Sequence, residues 1–462
     1  MQSKDNRTVG ILPLGRPTFD VPFAERNLAV MLEALEATGY RVVGPRGLLF
    51  DAAATRDAIA AVKAEQPGQV LILQVTFTDA TMAVEAANAF DIPLSFWAIP
   101  EPRVGDRIRL NSFCGMNLAG HALGLAGREF GWLYSAPDAP GVGDALAELL
   151  AGKRTSHPLP FVESGGARKA TPIQGARIAR IGQHPDGFDT CAYDTDKLAA
   201  LAGVSVDVYE LGDMFGRAAA VPSEQAAAIR EQAEAVVGGL DAVDQPQLDR
   251  SLRLKAAIEQ IRAEGGYDAF AIRCWPETFT EYGGAVCGPV SMMGEARVPC
   301  ACEADVYGAL TTLLLQRIAD QPAFLADLVD LDLSDDTAVV WHCGQAPASM
   351  ADPQAAHIAT IHTNRKMPLL FEYPLKPGRV TFFRISQARG KTFAVIGGGE
   401  MLRRPLAFAG TSGVLRFDSG SDAVLGSVMN GALEHHMALA YGDHRAALRT
   451  AAGDLGLPVL EI

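Results

Sequence analysis

The chain has 462 residues, 48% of them hydrophobic and 20% charged, a soluble globular balance too long for one hydrophobic core, so two or three domains are expected and disorder is excluded. A formal net charge of −14 opposes attraction to phosphate backbones and anionic lipid, and no apolar run approaches the roughly 18 residues of a membrane span, so neither nucleic acid nor membrane is an expected partner. Seven scattered cysteines do not look like a disulfide framework, and the opening MQSKDNRTVG lacks an apolar export signal; a reducing cytoplasm fits both.

From Val9 to about residue 170, short apolar runs alternate with amphipathic segments: VGILPL, AERNLAVMLEALEATG, YRVVGP, TRDAIAAVKAEQ, QVLILQVTF, TDATMAVEAANAF and IPLSFWAI. This alternation predicts a parallel sheet with crossover helices. The polar stretch ESGGARKATPIQG places a boundary near residue 170. A second alternating unit over 171–318 contains ARIARIGQ, a helix around KLAALAG, VSVDVYEL, a long helical stretch from Ala218 to Ile261, YDAFAIRCW and VPCACEADVYGALTTLLLQRI. From 319 to 462 the pattern shifts to short strand-like runs, AVVWHCG, GRVTFFRIS, KTFAVIGGGEML and GVLRFD, closed by the helical HRAALRTAAGDLG. The glycines at 397–399 open onto MLRRP rather than a helix and read as a turn, not a dinucleotide fingerprint. The expected fold is two doubly wound α/β domains, 1–170 and 171–318, followed by a β-rich domain over 319–462.

Ligand-type side chains gather at the ends of these elements. Glu303 follows VPCAC and opens a predicted helix, where it is either an ionised cation ligand or only a partner of the helix dipole. Asp327 lies in AFLADLVDLDLSDD, and pattern alone does not separate it from Asp330 or Asp332. His342 ends the run AVVW before a turn-forming CGQAP and reads as a core histidine or a ligand. His435 and His436 are adjacent; in a strand they point to opposite faces, so at most one joins a given site. Cys300 and Cys302 flank Ala301 on one strand face and read as buried thiols, with a zinc pair as the alternative. Carboxylate and imidazole together suit a divalent cation.

The segments ACEADVYGALTTLL, AFLADLVD, VVWHCGQAP and EHHMALAYGD, in this order, resemble the metal-site segments of the L-fucose isomerase and L-arabinose isomerase superfamily. VGILPLGRPTFDVPFAERN, LNSFCGMNLAGHALG and AIRCWPETFTEYGG extend the resemblance over nearly the whole chain. It implies two Rossmann-like α/β domains, a β-barrel-like C-terminal domain, and a homo-oligomer, trimeric or hexameric, whose sites form where subunits meet. Arg16 and Asn111 would then complete a neighbour's site.

Carried over by position, Glu303, Asp327 and His436 match metal ligands of the family. His342 matches a ligand of the arabinose enzyme that fucose isomerase lacks, so it contacts metal or substrate. Arg16, Asn111, Trp275 and Glu281 fall in substrate-contacting segments. The implied activity is aldose–ketose isomerisation of a pentose, a deoxyhexose or a hexose with an anionic C6 group such as sulfonate. It would pass through an enediolate, with Glu303 and Asp327 as acid and base. Mn²⁺ suits the donor set, and Co²⁺ or Mg²⁺ are possible. The alternatives are an epimerase or aldolase on the same scaffold, or a sugar-binding protein without catalysis.

Overall fold

In the computed structural model, which describes residues 7–164 and 171–462, the first set of apolar runs forms five parallel strands. They are β1 (Thr8–Leu14), β2 (Arg41–Val43), β3 (Gln69–Gln74), β4 (Leu94–Ala98) and β5 (Gly131–Tyr134), ordered β2-β1-β3-β4-β5. The intervening helices show why the sequence alternates. Helix Val21–Glu36, for example, is capped by Asp20 and buries Ala24, Leu28, Met31 and Leu35, the spacing of one helical face. The boundary expected near residue 170 lies outside the described residues.

A second parallel sheet contains β6 (Arg177–Ile181), β7 (Ser205–Tyr209), β8 (Ala269–Ile272) and β9 (Cys300–Ala301), ordered β7-β6-β8-β9. The single helical stretch expected from Ala218 to Ile261 is instead three helices, Leu211–Ala220, Ser223–Glu234 and Gln245–Gly265. Pro222 and the Gly238–Gly239 pair fall in the gaps, where neither residue sustains a helix.

The remaining chain forms a mixed sheet with β10 (Phe324–Asp332), β11 (Thr337–His342), β12 (Ile358–Thr360), β13 (Leu370–Pro374), β14 (Gly378–Ser386), β15 (Phe393–Met401), β16 (Thr411–Phe417), β17 (His436–Tyr441) and β18 (Val459–Glu461). Their order is β12-β13-β16-β11-β10-β17-β14-β15-β18, with a further ladder between β15 and β16. The structure thus contains two Rossmann-like parallel sheets and a large mixed C-terminal sheet. Gly397–Gly399 lie inside β15, not in a turn. Gly399 pairs with Val380 on one side and Phe417 on the other, and a Cβ there would sit 2.5 Å from the Arg416 carbonyl oxygen. The glycines admit strands on both sides at close range.

Helix Val306–Ala319 packs against β14 and β17 of the mixed sheet and against β6 and β8 of the second parallel sheet. Every residue from Val306 to Gln316 is buried, as expected for a helix covered on all sides. Among the described residues no helix is long and apolar enough to cross a membrane.

Strand β10 separates the three aspartates that the sequence leaves equivalent. Its register shifts between Leu328 and Asp330, a bulge that re-aims the side chains beyond it. Asp332 caps a turn by accepting from Ser334 and Asp335. Asp330 is buried and ties the first sheet to the third: it accepts from the Tyr134 hydroxyl at 2.6 Å, the Glu101 N–H at 3.0 Å and Arg103 Nε at 2.6 Å. Asp327 is left facing the pocket described below. Replacing Asp330 by Ala strands the partly buried Arg103 and should cost about 3–5 kcal/mol of stability in urea unfolding. Asp332→Ala, on an exposed turn, should cost about 1 kcal/mol or less.

Candidate metal centre

The register of three neighbouring strands brings the ligand-type side chains together. Asp327 of β10 sits opposite His436 of β17 and opposite Trp341 of β11, one residue before His342. Asp327 Oδ1 lies 3.3 Å from His436 Nε2. Glu303 comes from the end of β9 and presents Oε2 at 3.6 Å from His436 Nε2 and 3.1 Å from His435 Nε2.

Glu303 does not open the helix. It sits in a short turn, Cys302–Ala304, with φ of 58°, and Ala304 follows at φ 55°. Two successive left-handed non-glycine residues are uncommon and cost about 1–2 kcal/mol each. The helix starts at Val306 with Asp305 as its cap, so the dipole partner is Asp305, and the turn frees Glu303 to face the pocket.

The expectation that only one of His435 and His436 could join the site is corrected. Strand β17 begins at His436, so the alternation of a strand does not bind His435. The two rings stack with centroids 3.9 Å apart, and both approach Glu303. His435 Nδ1 lies 3.3 Å from the Thr190 hydroxyl, which leaves Nε2–H to donate to Glu303.

Behind His436 is a buried support that the sequence reading missed. His436 Nδ1 donates to Asp305 Oδ2 at 2.9 Å, and Arg384 donates to both oxygens of Asp305 at 2.6 and 3.2 Å. Asp305 also caps its helix through the Gly308 N–H at 2.7 Å. The signal for it was present, an Asp directly before the apolar run VYGALTTLLL. With Nδ1 protonated toward Asp305, the Nε2 lone pair of neutral His436 faces Asp327. Asp327 Oδ1 and His436 Nε2 are both buried without a hydrogen-bond partner. Ligand atoms gather here in two groups that share His436, Glu303 with His435 and His436, and Asp327 with His342 and His436, each within 4.8 Å, and carboxylate with imidazole suits a divalent cation.

The electrostatics agree. Burial alone would raise Glu303, but the hydrogen bond from His435 and the positive potential of the surrounding histidines hold its carboxyl at about 2. Burial would likewise depress His436, yet the bond to Asp305 and the charges of Asp327 and Glu303 leave it above the ordinary histidine value. Burial would raise Asp305, and Arg384 with His436 instead holds it well below the usual carboxylate range.

His342 differs from His436 in its hydrogen bonding. Its Nδ1 accepts the Cys343 backbone N–H at 2.9 Å, so the neutral ring carries its proton on Nε2, and that atom is buried without a partner. It offers a donor where His436 offers a lone pair. Burial keeps its pKa below the ordinary value.

Glu303, Asp327, His342 and His435 line one pocket of about 790 Å³, mouth included, together with Arg16, Asn111 and Trp275, within the usual size of a small-molecule site, and His436 lies buried behind this lining. Its walls come from the chain that follows the C-terminal ends of β1, β8 and β9, where open α/β sheets bind ligands. Arg16 and Asn111 line it within their own chain. Arg16 is paired with Asp79. Asn111, at φ 50°, is held by the buried Glu101, which accepts the N–H groups of Arg109, Leu110 and Asn111. Trp275 donates its indole N–H to Glu303 Oε1 at 3.2 Å. Glu281 is exposed and outside the lining; the turn Thr278–Tyr282 directs Phe279 inward instead.

Cys302 is not a free thiol beside Cys300 but forms a disulfide with Cys274. Strand β9 ends at Ala301, and the adjacent strand ends of β8 and β9 bring the two sulfurs together.

Residues 10–157 match the family model described as "Fucose/sulfoquinovose isomerase, N-terminal domain", and residues 340–462 match "L-fucose isomerase, C-terminal domain". A sulfoquinovose isomerase of Alkalicoccus urumqiensis is 30% identical, covering 98% of this chain and 99% of its own. Sulfoquinovose isomerases of Priestia aryabhattai and Clostridium sp. (strain MSTE9) are each 28% identical, covering 95% and 97% of this chain and 95% and 98% of theirs.

If Asp305 orients His436 for a cation, Asp305→Asn should weaken Mn²⁺ binding by about 10- to 100-fold in calorimetry. It should also lower the melting temperature, because Arg384 loses its buried counter-charge. Unchanged Mn²⁺ affinity in a folded variant would contradict this role.

Proposed function

The chain belongs to the fucose-isomerase-like superfamily, and on that premise we propose that it is a divalent-metal-dependent aldose–ketose isomerase acting on a C6-sulfonated hexose. The observation that carries this reading is the pair of buried, unpartnered atoms Asp327 Oδ1 and His436 Nε2 beside the ionised Glu303. The names of the relatives support the sulfonated substrate.

Glu303, Asp327 and His436 would hold the cation. Two oxygen donors and one nitrogen donor suit Mn²⁺ best, with Co²⁺ or Mg²⁺ as substitutes. When bound, the cation supplies positive charge where the enediolate develops. The protein's own groups do the rest. Glu303 and Asp327 approach the centre from β9 and β10, and a carboxylate at that position can take the proton from C2 of the aldose and return it to C1. His435 keeps Glu303 ionised and fixes its orientation, and the Trp275 N–H restrains its other oxygen. His342 donates from Nε2 to a substrate oxygen rather than ligating the cation, because its Nδ1 already accepts from the backbone. Asn111 Oδ1, buried and unpartnered, accepts from a sugar hydroxyl.

Incubation of sulfoquinovose with the protein and Mn²⁺ should yield the 2-ketose, observed by NMR, and EDTA should abolish the conversion. Full turnover in metal-free protein would refute the reading. Glu303→Gln keeps the shape of the side chain but cannot accept a proton near neutral pH. At saturating Mn²⁺ its turnover should fall by at least about 100-fold with the fold intact.

The pH dependence of metal uptake has a definite sign. A proton on His436 Nε2 competes with the cation, and the metal-free pKa of this residue is raised above 6.5. Mn²⁺ affinity should therefore weaken as pH falls, beginning above pH 6.5, with proton release on binding at pH 7. Calorimetry in buffers of different ionisation enthalpy measures that proton, and its absence would contradict the assignment of His436.

A further inference from the structure

The pocket has a second pole, where Arg16 is joined by Arg365, a residue that neither the sequence pattern nor the metal centre uses. Arg365 lies between β12 and β13 and lines the same pocket as Glu303. Its guanidinium carbon is 5.5 Å from the centre of the Trp275 ring, and that of Arg16 is 5.6 Å from the same ring. Trp275 is pinned at its other end by the indole N–H bond to Glu303. The indole therefore spans the distance from the metal ligands to two guanidinium groups.

The two arginines differ in their partners. Arg16 is compensated by Asp79. The guanidinium of Arg365 has no hydrogen-bond or ion-pair partner among the described residues and stands over the indole face. A half-buried, uncompensated cation beside a second cation is unfavourable; burial first, and Arg16 next, pull its pKa below the ordinary arginine value. The backbone nevertheless holds it there. His362 Nδ1 accepts the N–H groups of Asn364 and Arg365, both at 3.2 Å. Burial, followed by the nearby Arg365, keeps this imidazole neutral with a pKa of about 3, so it remains an acceptor and the turn is fixed. In the same lining, Asn111 Oδ1 and Asn364 Oδ1 are both buried and unpartnered. Acceptors so placed suit the donating hydroxyls of a sugar.

We propose that Arg365, assisted by Arg16, is the subsite for an oxyanion at the end of the sugar remote from its carbonyl, a sulfonate on C6. This deepens the isomerase reading and rests on it only for which end of the sugar faces the metal ligands. The planar guanidinium fork matches two oxygens of a sulfonate, and the low polarity of the indole wall strengthens the pairing. A neutral sugar would leave Arg365 uncompensated, so the site selects against it.

The test is equilibrium binding by calorimetry on the full chain, both Mn²⁺-loaded and EDTA-treated. The ligands are sulfoquinovose, 6-deoxy-D-glucose (the same sugar without sulfonate), D-glucuronate and glucose 6-phosphate. The wild type should prefer sulfoquinovose over 6-deoxy-D-glucose by about 10- to 100-fold, the scale of a charge-assisted hydrogen-bond pair. Arg365→Gln should lose most of that preference while its Mn²⁺ affinity and melting temperature stay unchanged, and Arg365→Lys, which keeps charge but not the fork, should retain part of it. A folded Arg365→Gln protein with the wild-type preference would overturn the proposal, as would a wild type without preference. Tighter binding of glucuronate or glucose 6-phosphate would overturn sulfonate as the group. Sulfoquinovose bound with the expected preference but never isomerised would sink the isomerase reading and leave the subsite standing.

Discussion

A carboxylate buried with an arginine and an imidazole is tolerable only when every charge and lone pair is matched, and Asp305 meets that condition. It accepts from Arg384 of β14, from His436 of β17 and from the first turn of the helix that follows it. One side chain thus ties the second parallel sheet to the mixed sheet and fixes the orientation of an imidazole whose other nitrogen faces Asp327. The desolvation cost of Asp305 and Arg384 is offset by their mutual attraction and by these added bonds.

The rest of the site follows from where strands end. Loops after β8 and β9 supply Trp275 and Glu303, the loop after β1 supplies Arg16, and β10, β11 and β17 bring Asp327, His342 and His436 to one edge. Backbone strain is concentrated at the same place. Glu303 and Ala304 are left-handed, and the turn they form lets consecutive residues serve opposite purposes: Glu303 enters the pocket while Asp305 supports His436 from behind. A regular helix start would have put Glu303 on the helix surface.

The pocket is polarised along the Trp275 indole. Glu303 meets its N–H, and the guanidiniums of Arg16 and Arg365 stand over its ring, Arg365 without a counter-charge among the described residues. The cavity thus sets carboxylates and guanidiniums around one indole.

Much of this was legible beforehand. Apolar runs marked the first parallel sheet because a strand buried on two faces must be almost wholly apolar, as in β1 and β3, and their alternation with helical segments marked the second. The ordered segments around Glu303, Asp327, His342 and His436 marked the centre. Other features depend on contacts between distant parts of the chain, which periodicity does not encode. Nothing local tells Asp327 from Asp330; the bulge in β10 and the arrival of Arg103 and Tyr134 decide it. The strand rule failed for His435 because β17 starts one residue later, and Glu281 was misplaced because the turn that carries it points Phe279 inward. Arg365 carries no motif at all: it stands out only through an indole 90 residues earlier in the chain and the lack of a counter-charge among the described residues. Composition and periodicity determine which segments become strands and helices, because those depend on near neighbours. Which side chains share a pocket, and which of them are left unpaired, is decided only when the sheets pack.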